Sequence, residues 1–236
     1  MHELILDLQI YVIYILIDLH MGNLDLVTIA IIAANIIISY KGFGDFNFFE
    51  KYKFQVGAVQ RGEKIRLFSS GFLHADNAHL FFNMFSLYFF ANVVIDYLGV
   101  FNFVIIYSGS LLLGSLLSLY FHKNEYYYSA VGASGAVMGV IYSAILLQPG
   151  MSLFMFFIPI PIPAYVFGIG YLLYSIYGMK KRIGNIGHDA HFGGAVGGYI
   201  ITLILAPWLF KSDLLMIGLL ALPIVLLYVL KKANKI

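Results

Sequence analysis

The 236-residue chain contains no cysteine, and only 11% of its residues are charged. The absence of cysteine excludes disulfide bonds, thiolate metal sites and a cysteine nucleophile. With so few charges and 61% hydrophobic residues, the chain has too little polar surface for a soluble globular protein. Its net charge of +2 is too small to indicate a nucleic acid partner. Composition therefore predicts a single-domain, multi-pass membrane protein.

Long apolar runs predict the membrane-spanning segments, because a spanning helix needs about 20 mostly apolar residues. Seven such runs are bounded by charged residues, Pro, Gly or Tyr, at 24–40, 79–98, 100–121, 133–147, 151–177, 190–209 and 213–230. The predicted fold class is an all-α, polytopic membrane helix bundle. Pro159, Pro161 and Pro163 lie in the fifth run and exclude a regular helix through that stretch.

The same runs define the predicted organisation of the chain. Residues 24–209 form the main membrane domain with a long polar loop at 41–78, and residues 210–236 add a further helix with a basic tail. Residues 1–23 are predicted to be an extension of uncertain status. Their apolar stretch is short and contains acidic residues, and translation starting at Met21 is one alternative.

Three reactive side chains begin alternate spans, namely His79, Ser134 and His191. Two membrane crossings separate each of these positions from the next, so all three lie at the same membrane face. The simpler interpretation is that polar residues collect at helix ends, where interfacial water satisfies them. That interpretation fits any one of the three better than it fits all three together.

Ser134 and His191 are the predicted catalytic pair. A serine hydroxyl needs a general base at neutral pH, and a neutral imidazole has a suitable pKa. Small residues four apart on both helices, Gly135 with Gly139 and Gly194 with Gly198, favour close helix packing in lipid. Asp189 lies roughly 200° around the helix from His191, so a dyad is favoured over a triad. Asp189 is predicted instead to cap the start of its helix.

His79 and Asn83 share one helix face because they are four residues apart. Acyl transfer creates an oxyanion that needs hydrogen-bond donors, and the His79 ring, the Asn83 amide and the Ser134 backbone N–H could supply them. A structural hydrogen bond between helices explains Asn83 equally well. His74, His122 and His188 do not form a HExxH motif, so no metal site is expected.

The chain resembles the rhomboid intramembrane serine proteases from about Arg66 to Gly198. The matching motifs are His79-Leu80-Phe81-Phe82-Asn83 for H-x-x-x-N, Gly132-Ala133-Ser134-Gly135 for G-x-S-G, and Ala190-His191 followed by Gly194 and Gly198 for A-H-x-x-G-x-x-x-G. Each motif alone is weak, but their order on alternate spans is highly specific. The resemblance implies a six-helix core, to which the last predicted span adds a seventh helix.

The resemblance also implies roles and partners. Ser134 would be the nucleophile and His191 the general base, with His79, Asn83 and the Ser134 amide as the oxyanion hole. Substrates would be single-span membrane proteins, and no metal or cofactor would be needed. Met138 replaces an aromatic residue that often stacks on the catalytic histidine in the family, so a changed histidine orientation is expected. The alternative is a catalytically silent rhomboid-like protein that binds membrane clients, and neither reading specifies an oligomeric state.

Orientation rests on two conflicting indications. All but one of the 14 Lys and Arg residues lie on the face that bears the reactive residues, which by the positive-inside rule would be cytoplasmic. The resemblance implies an active site opening to the extracytoplasmic side of a bacterial-type cytoplasmic membrane. The second orientation is the one predicted, because a folded first loop and a packed bundle can override loop charge.

Overall fold

The computed structural model describes residues 25–155, 158–184 and 186–236 as a helical bundle with two small sheets. The helices are α1 (Leu26–Gly44), α2 (Phe46–Tyr52), α3 (Val56–Gln60), α4 (Arg66–Ser69), α5 (Asn77–Phe121), α6 (Ser134–Leu147), α7 (Ala164–Lys181), α8 (His188–Leu205), α9 (Leu209–Ser212) and α10 (Leu214–Lys232), and a 3-10 turn spans Ser70–Phe72. The strands are β1 (Phe54–Gln55), β2 (Ser129–Ala130), β3 (Ser152–Met155) and β4 (Ile158–Pro163). The predicted extension, residues 1–23, lies outside the described residues.

The predicted class of helical membrane bundle is confirmed. Helices α1, α5 and α10 are each long and apolar enough to cross a membrane. Gly99 has non-helical backbone angles (φ 78°, ψ 163°) and divides the 45-residue α5 into two crossing segments, as the sequence predicted. Helix α10 is the expected additional C-terminal helix.

The prediction of a membrane-spanning segment at 151–177 is wrong for the first part of that range. The antiparallel β3–β4 hairpin pairs Leu153 with Ile162, and α7 begins only at Ala164. Three prolines in β4 lack backbone N–H groups and would clash with a preceding helical turn, so the chain stays extended until the last of them has passed.

The polar loop predicted at 41–78 is folded and anchored to the bundle. Arg66 is buried, and its guanidinium donates to the carbonyl oxygens of Glu50 at 2.7 Å and Lys53 at 2.9 Å while pairing with Glu63 at 2.7 Å. Strand β1 pairs with β2, which lies shortly before α6. The loop therefore supports the segment that leads into Ser134.

Helix α6 lies at the centre of the bundle, where every residue from Gly135 to Leu147 is buried. It packs against α8 through facing glycines. A Cβ atom at Gly194 would collide with the Gly135 carbonyl, and one at Gly198 would collide with the Gly139 carbonyl. No larger residue fits at this crossing without moving the two helices apart.

The Gly198→Ala variant is expected to lower the free energy of unfolding by about 1–3 kcal/mol, because overpacking separates two closely packed backbones. Thermal unfolding of the purified protein in detergent measures the effect. Gly218→Ala in α10 is the matched control, since nothing lies within 4 Å of its added Cβ. It should be neutral or stabilising by up to about 1 kcal/mol. Equal melting temperatures for the two variants would contradict this account of the α6–α8 contact.

Candidate active site

The structure brings Ser134 and His191 together. Ser134 is the first residue of α6, His191 lies in the first turn of α8, and Ser134 Oγ is 2.6 Å from His191 Nε2. This hydrogen bond joins residues 57 positions apart and follows from the glycine contact between the two helices. A histidine nitrogen at this distance can accept the hydroxyl proton when the oxygen attacks an electrophile.

The pair opens into a cavity between the helices with a volume of about 860 Å³. His79, Asn83, Ser134 and His191 all line this cavity, so the four predicted site residues share one space. Helix α6 has 14 residues and is therefore only about 21 Å long, shorter than the roughly 30 Å hydrocarbon core. A helix this short need not reach both membrane surfaces, and Ser134 at its start faces a space large enough for water.

Tyr171 is a site residue that the sequence analysis did not identify. Its hydroxyl oxygen, carried by α7, is 2.5 Å from His191 Nδ1, and the two rings are tilted by 33° with centroids 5.9 Å apart. With its proton on Nδ1, the imidazole donates to this oxygen and leaves Nε2 free to accept from Ser134. Tyr171 thus contacts the imidazole from α7, whereas the sequence had directed attention to Met138 on α6.

No sequence spacing pointed to Tyr171, because α7 approaches His191 only in the folded bundle. One signal was available in retrospect. A tyrosine hydroxyl inside a predicted membrane-spanning segment needs a polar partner, which makes each such tyrosine a candidate for a hydrogen bond to the site.

His79 and Asn83 lie beside Ser134 as predicted, but Asn83 is partly engaged elsewhere. Its amide nitrogen donates to the His79 carbonyl oxygen at 2.8 Å, one turn earlier in the same helix. The second N–H of an amide group is a separate donor. His79 Nδ1 accepts a long hydrogen bond of 3.5 Å from the Ala75 N–H, an arrangement that leaves the ring proton on Nε2. Both residues can therefore present a donor to the cavity.

The backbone before Ser134 has a conformation that requires glycine. Gly132 has φ +130°, and a Cβ atom there would lie 2.7 Å from His79 Nε2 and 3.6 Å from Ser134 Oγ. Because Gly132 has no side chain, a small space next to both the His79 ring and the Ser134 hydroxyl stays open. An oxyanion formed on a carbonyl attacked by Ser134 needs space of this kind.

His74 holds this backbone segment in place. Burial lowers the pKa of His74 to about 3, so the ring is neutral near pH 7. Its Nε2 accepts from the Ala133 N–H at 3.4 Å, and Nδ1 donates to Ser39 Oγ at 2.8 Å. Ser39 in turn donates to the Phe72 carbonyl oxygen at 3.0 Å. The chain of hydrogen bonds connects α1 to the residue preceding Ser134.

The prediction that Asp189 caps α8 is wrong. The N-cap position is Gly187, and the buried Asp189 carboxylate instead faces His122, with Oδ2 3.6 Å from the ring Nε2. Burial alone would lower the pKa of His122, but the carboxylates of Asp189 and Glu125 outweigh it and raise the pKa. Asp189 thus contacts His122 on the side of α8 away from Ser134, which agrees with the helix geometry that favoured a dyad.

Known proteins with similar sequences share this region of the chain. A family model described as the Rhomboid domain matches residues 61–208. The chain is 32% identical over 58% of its length to Rhomboid protein 1, mitochondrial, of Saccharomyces cerevisiae, of which the match covers 40%. It is 27% identical over 69% of its length to RHOMBOID-like protein 12, mitochondrial, of Arabidopsis thaliana, covering 52% of that protein. It is 30% identical over 62% of its length to Rhomboid protease GluP of Bacillus subtilis, covering 27% of that protein. The chain spans about half or less of the length of these relatives.

The Tyr171→Phe variant is expected to slow the reaction of Ser134 with a fluorophosphonate probe about tenfold, since it removes one hydrogen bond that orients the His191 ring. The labelling rate of the purified protein, followed against pH, measures the effect and any shift in the pH at half-maximal rate. Tyr177→Phe, which alters an exposed phenol on the same helix, is the matched control and should label at the wild-type rate. Equal rates for all three proteins would show that the Tyr171 hydroxyl has no effect on Ser134.

The lowered pKa of His74 leads to a second prediction, about how the stability of the folded protein depends on pH. An unfolded chain binds a proton at His74 near pH 6.5, whereas the folded protein does so only near pH 3, so stability falls as pH drops through this window. Between pH 7 and pH 5 the loss from this group is about 2 kcal/mol. His74→Gln should therefore show a smaller loss than the wild type in thermal unfolding at the two pH values. His122→Gln should show a larger loss, because the raised pKa of His122 stabilises the folded state on acidification. The same pH dependence in all three proteins would contradict both assignments.

Proposed function

The chain belongs to the rhomboid family, and from that premise we propose that it is an intramembrane serine endopeptidase. The observation that carries the proposal is the 2.6 Å hydrogen bond between Ser134 and His191 inside a cavity among membrane helices. Ser134 and His191 are only partly buried and line the cavity, so packing alone does not explain them. Placing a polar pair between membrane helices costs stability, which favours a functional role for the pair over a packing role.

The proposed reaction is acyl transfer followed by hydrolysis. Ser134 Oγ attacks the carbonyl carbon of the scissile peptide bond, and His191 Nε2 takes the hydroxyl proton. The imidazolium then gives that proton to the leaving amine nitrogen as the C–N bond breaks, which leaves an acyl ester on Ser134. Water attacks the ester with His191 again as base, and proton return to Oγ releases the carboxylic acid and restores the serine.

Three groups are proposed to stabilise the oxyanion. They are the His79 Nε2–H, the second N–H of the Asn83 amide and the backbone N–H of Ser134. Ser134 is the first residue of α6, so its N–H precedes the hydrogen-bonded ladder of the helix and is available to a ligand. Tyr171 is proposed as a positioning residue that keeps His191 in the tautomer with an unprotonated Nε2.

The proposed substrates are single-span membrane proteins cut within or beside their transmembrane segment. A helix shields its carbonyl carbons and satisfies its own backbone groups, so a substrate must unwind before Ser134 can attack it. Polar side chains among the lining residues, such as Asn83 and Ser115, would provide hydrogen-bonding partners for the unwound strand. Residues 24–209 are proposed as the catalytic domain and residues 210–236 as an additional helix. The protein is a multi-pass membrane protein, and the proposed location is a bacterial-type cytoplasmic membrane with the site opening to the extracytoplasmic side.

Cleavage of a single-span reporter in liposomes tests the proposal. The wild type should cleave it, and Ser134→Ala and His191→Ala should each lower the rate at least about a thousandfold. Ser115→Ala is the matched control, since Ser115 lines the same cavity outside the predicted dyad, and it should retain activity. Equal cleavage by every variant would indicate a contaminating protease. A wild type that neither cleaves the reporter nor labels with fluorophosphonate would overturn the proposal in favour of a client-binding protein.

A further inference from the structure

A second cavity, of about 450 Å³, lies at the same membrane face as Ser134, between the ends of α5, α7 and α10 and the start of α8. Four strongly basic side chains line it, which are Lys180, Arg182, Lys231 and Lys235. They come from two helices and the segments that follow them, so only the folded bundle brings them together. The proposed proteolytic reaction makes no use of this cavity.

The positive charge of this cavity is not neutralised by the protein. Its two carboxylates are already matched, Glu125 by Arg182 at 2.8 Å and Asp189 by His122 at 3.6 Å. Across the described ranges, Lys180, Lys231 and Lys235 have no carboxylate oxygen within 4.0 Å. Three ammonium groups therefore line one cavity without forming an ion pair among the described residues.

Of the six Lys and Arg residues in the polar loop at 41–78, four have a carboxylate partner within 4.0 Å in the described part of the chain, and Lys51 and Lys64 do not. Lys41 pairs with Asp45 at 2.9 Å, and Arg66 pairs with Glu63 at 2.7 Å. The helix dipole explains why a lysine is favourable in the last turn of α7 or α10. It does not explain why Lys180 and Lys231 converge on one cavity while their neighbours Lys181 and Lys232 do not line it.

The cavity is flanked by aromatic and exposed apolar side chains. The Lys231 ammonium lies 4.7 Å from the ring centroid of Phe121 and 5.4 Å from that of Tyr120, which places it at an aromatic surface at the end of α5. On α10, the apolar side chains of Leu222, Val225 and Tyr228 are each more than half exposed and lead along the helix away from the cavity. A phosphate held by the lysines would leave its acyl chains beside this apolar surface.

We propose that this cavity binds the phosphate of an anionic phospholipid headgroup. Basic pockets between membrane helices are suited to such headgroups, and the attraction is worth roughly a fivefold change in affinity for each lysine near the surface. A free phosphate ion has the same charge and the same hydrogen-bonding oxygens. The apolar face of α10 is the feature that favours the lipid.

Native mass spectrometry of the full chain in non-ionic detergent tests the proposal by titration with phosphatidylglycerol or phosphatidylcholine. The wild type is expected to bind the first phosphatidylglycerol at least about tenfold more tightly than phosphatidylcholine. The variant Lys180→Gln/Lys231→Gln/Lys235→Gln should lose this difference. The matched variant Lys123→Gln/Lys181→Gln/Lys232→Gln removes the same charge from the same face outside the cavity and should keep it. Circular dichroism and melting temperature verify that both variants fold.

Three results would overturn the proposal. Equal affinity of the wild type for the two lipids would show that the cavity has no preference for anionic lipid. An equal loss in both triple variants would show diffuse attraction by the whole face rather than a site. Binding of inorganic phosphate that depends on the cavity lysines, without a preference for phosphatidylglycerol, would assign the cavity to the free ion. None of these results depends on peptidase activity.

Discussion

The close approach of α6 and α8 is the contact on which the rest of the structure depends. Within a bilayer, lipid tails are as apolar as side chains, so helices associate through packing and hydrogen bonds rather than through burial of apolar surface. Glycines at the crossing let the two backbones come close enough for one hydrogen bond to join Ser134 to His191. Gly135 lies at this crossing and also lines the cavity, so the absence of a side chain there serves both the tight contact and the open space.

A second layer of contacts holds the segment that leads into α6. Arg66 ties the polar loop together from within, β1 pairs with β2, and His74 accepts from the backbone N–H of Ala133. These contacts lie outside the spanning helices, where water would otherwise compete for every donor. The Arg66 and His74 side chains are buried, so their hydrogen bonds are worth more than exposed equivalents. The loop that composition marked only as polar is therefore the support of the site.

The parts of the fold that followed from sequence are those set by hydropathy and local spacing. The lengths of the apolar runs located most of the membrane-spanning segments. The number of membrane crossings between them predicted that His79, Ser134 and His191 lie at one membrane face. The prolines excluded a helix over part of 151–177 but did not specify a hairpin, because strand pairing depends on two segments together. Tyr171 and the partner of Asp189 were missed because both contacts join elements distant in sequence. The roles of Ser134, His191, His79 and Asn83 stay predictions, since geometry brings them together without showing a reaction.

The short length of α6 connects the fold to the chemistry that it supports. A helix too short to span the hydrocarbon core must be surrounded by protein on all sides, because lipid cannot satisfy the backbone at its ends. Helices α5 and α8 supply that surrounding, and the space above the start of α6 must then be filled by polar side chains and water rather than by lipid. A helix N-terminus directed into such a space presents unpaired N–H groups to whatever enters it. The burial of α6 and the polar cavity above Ser134 are thus two consequences of one short central helix.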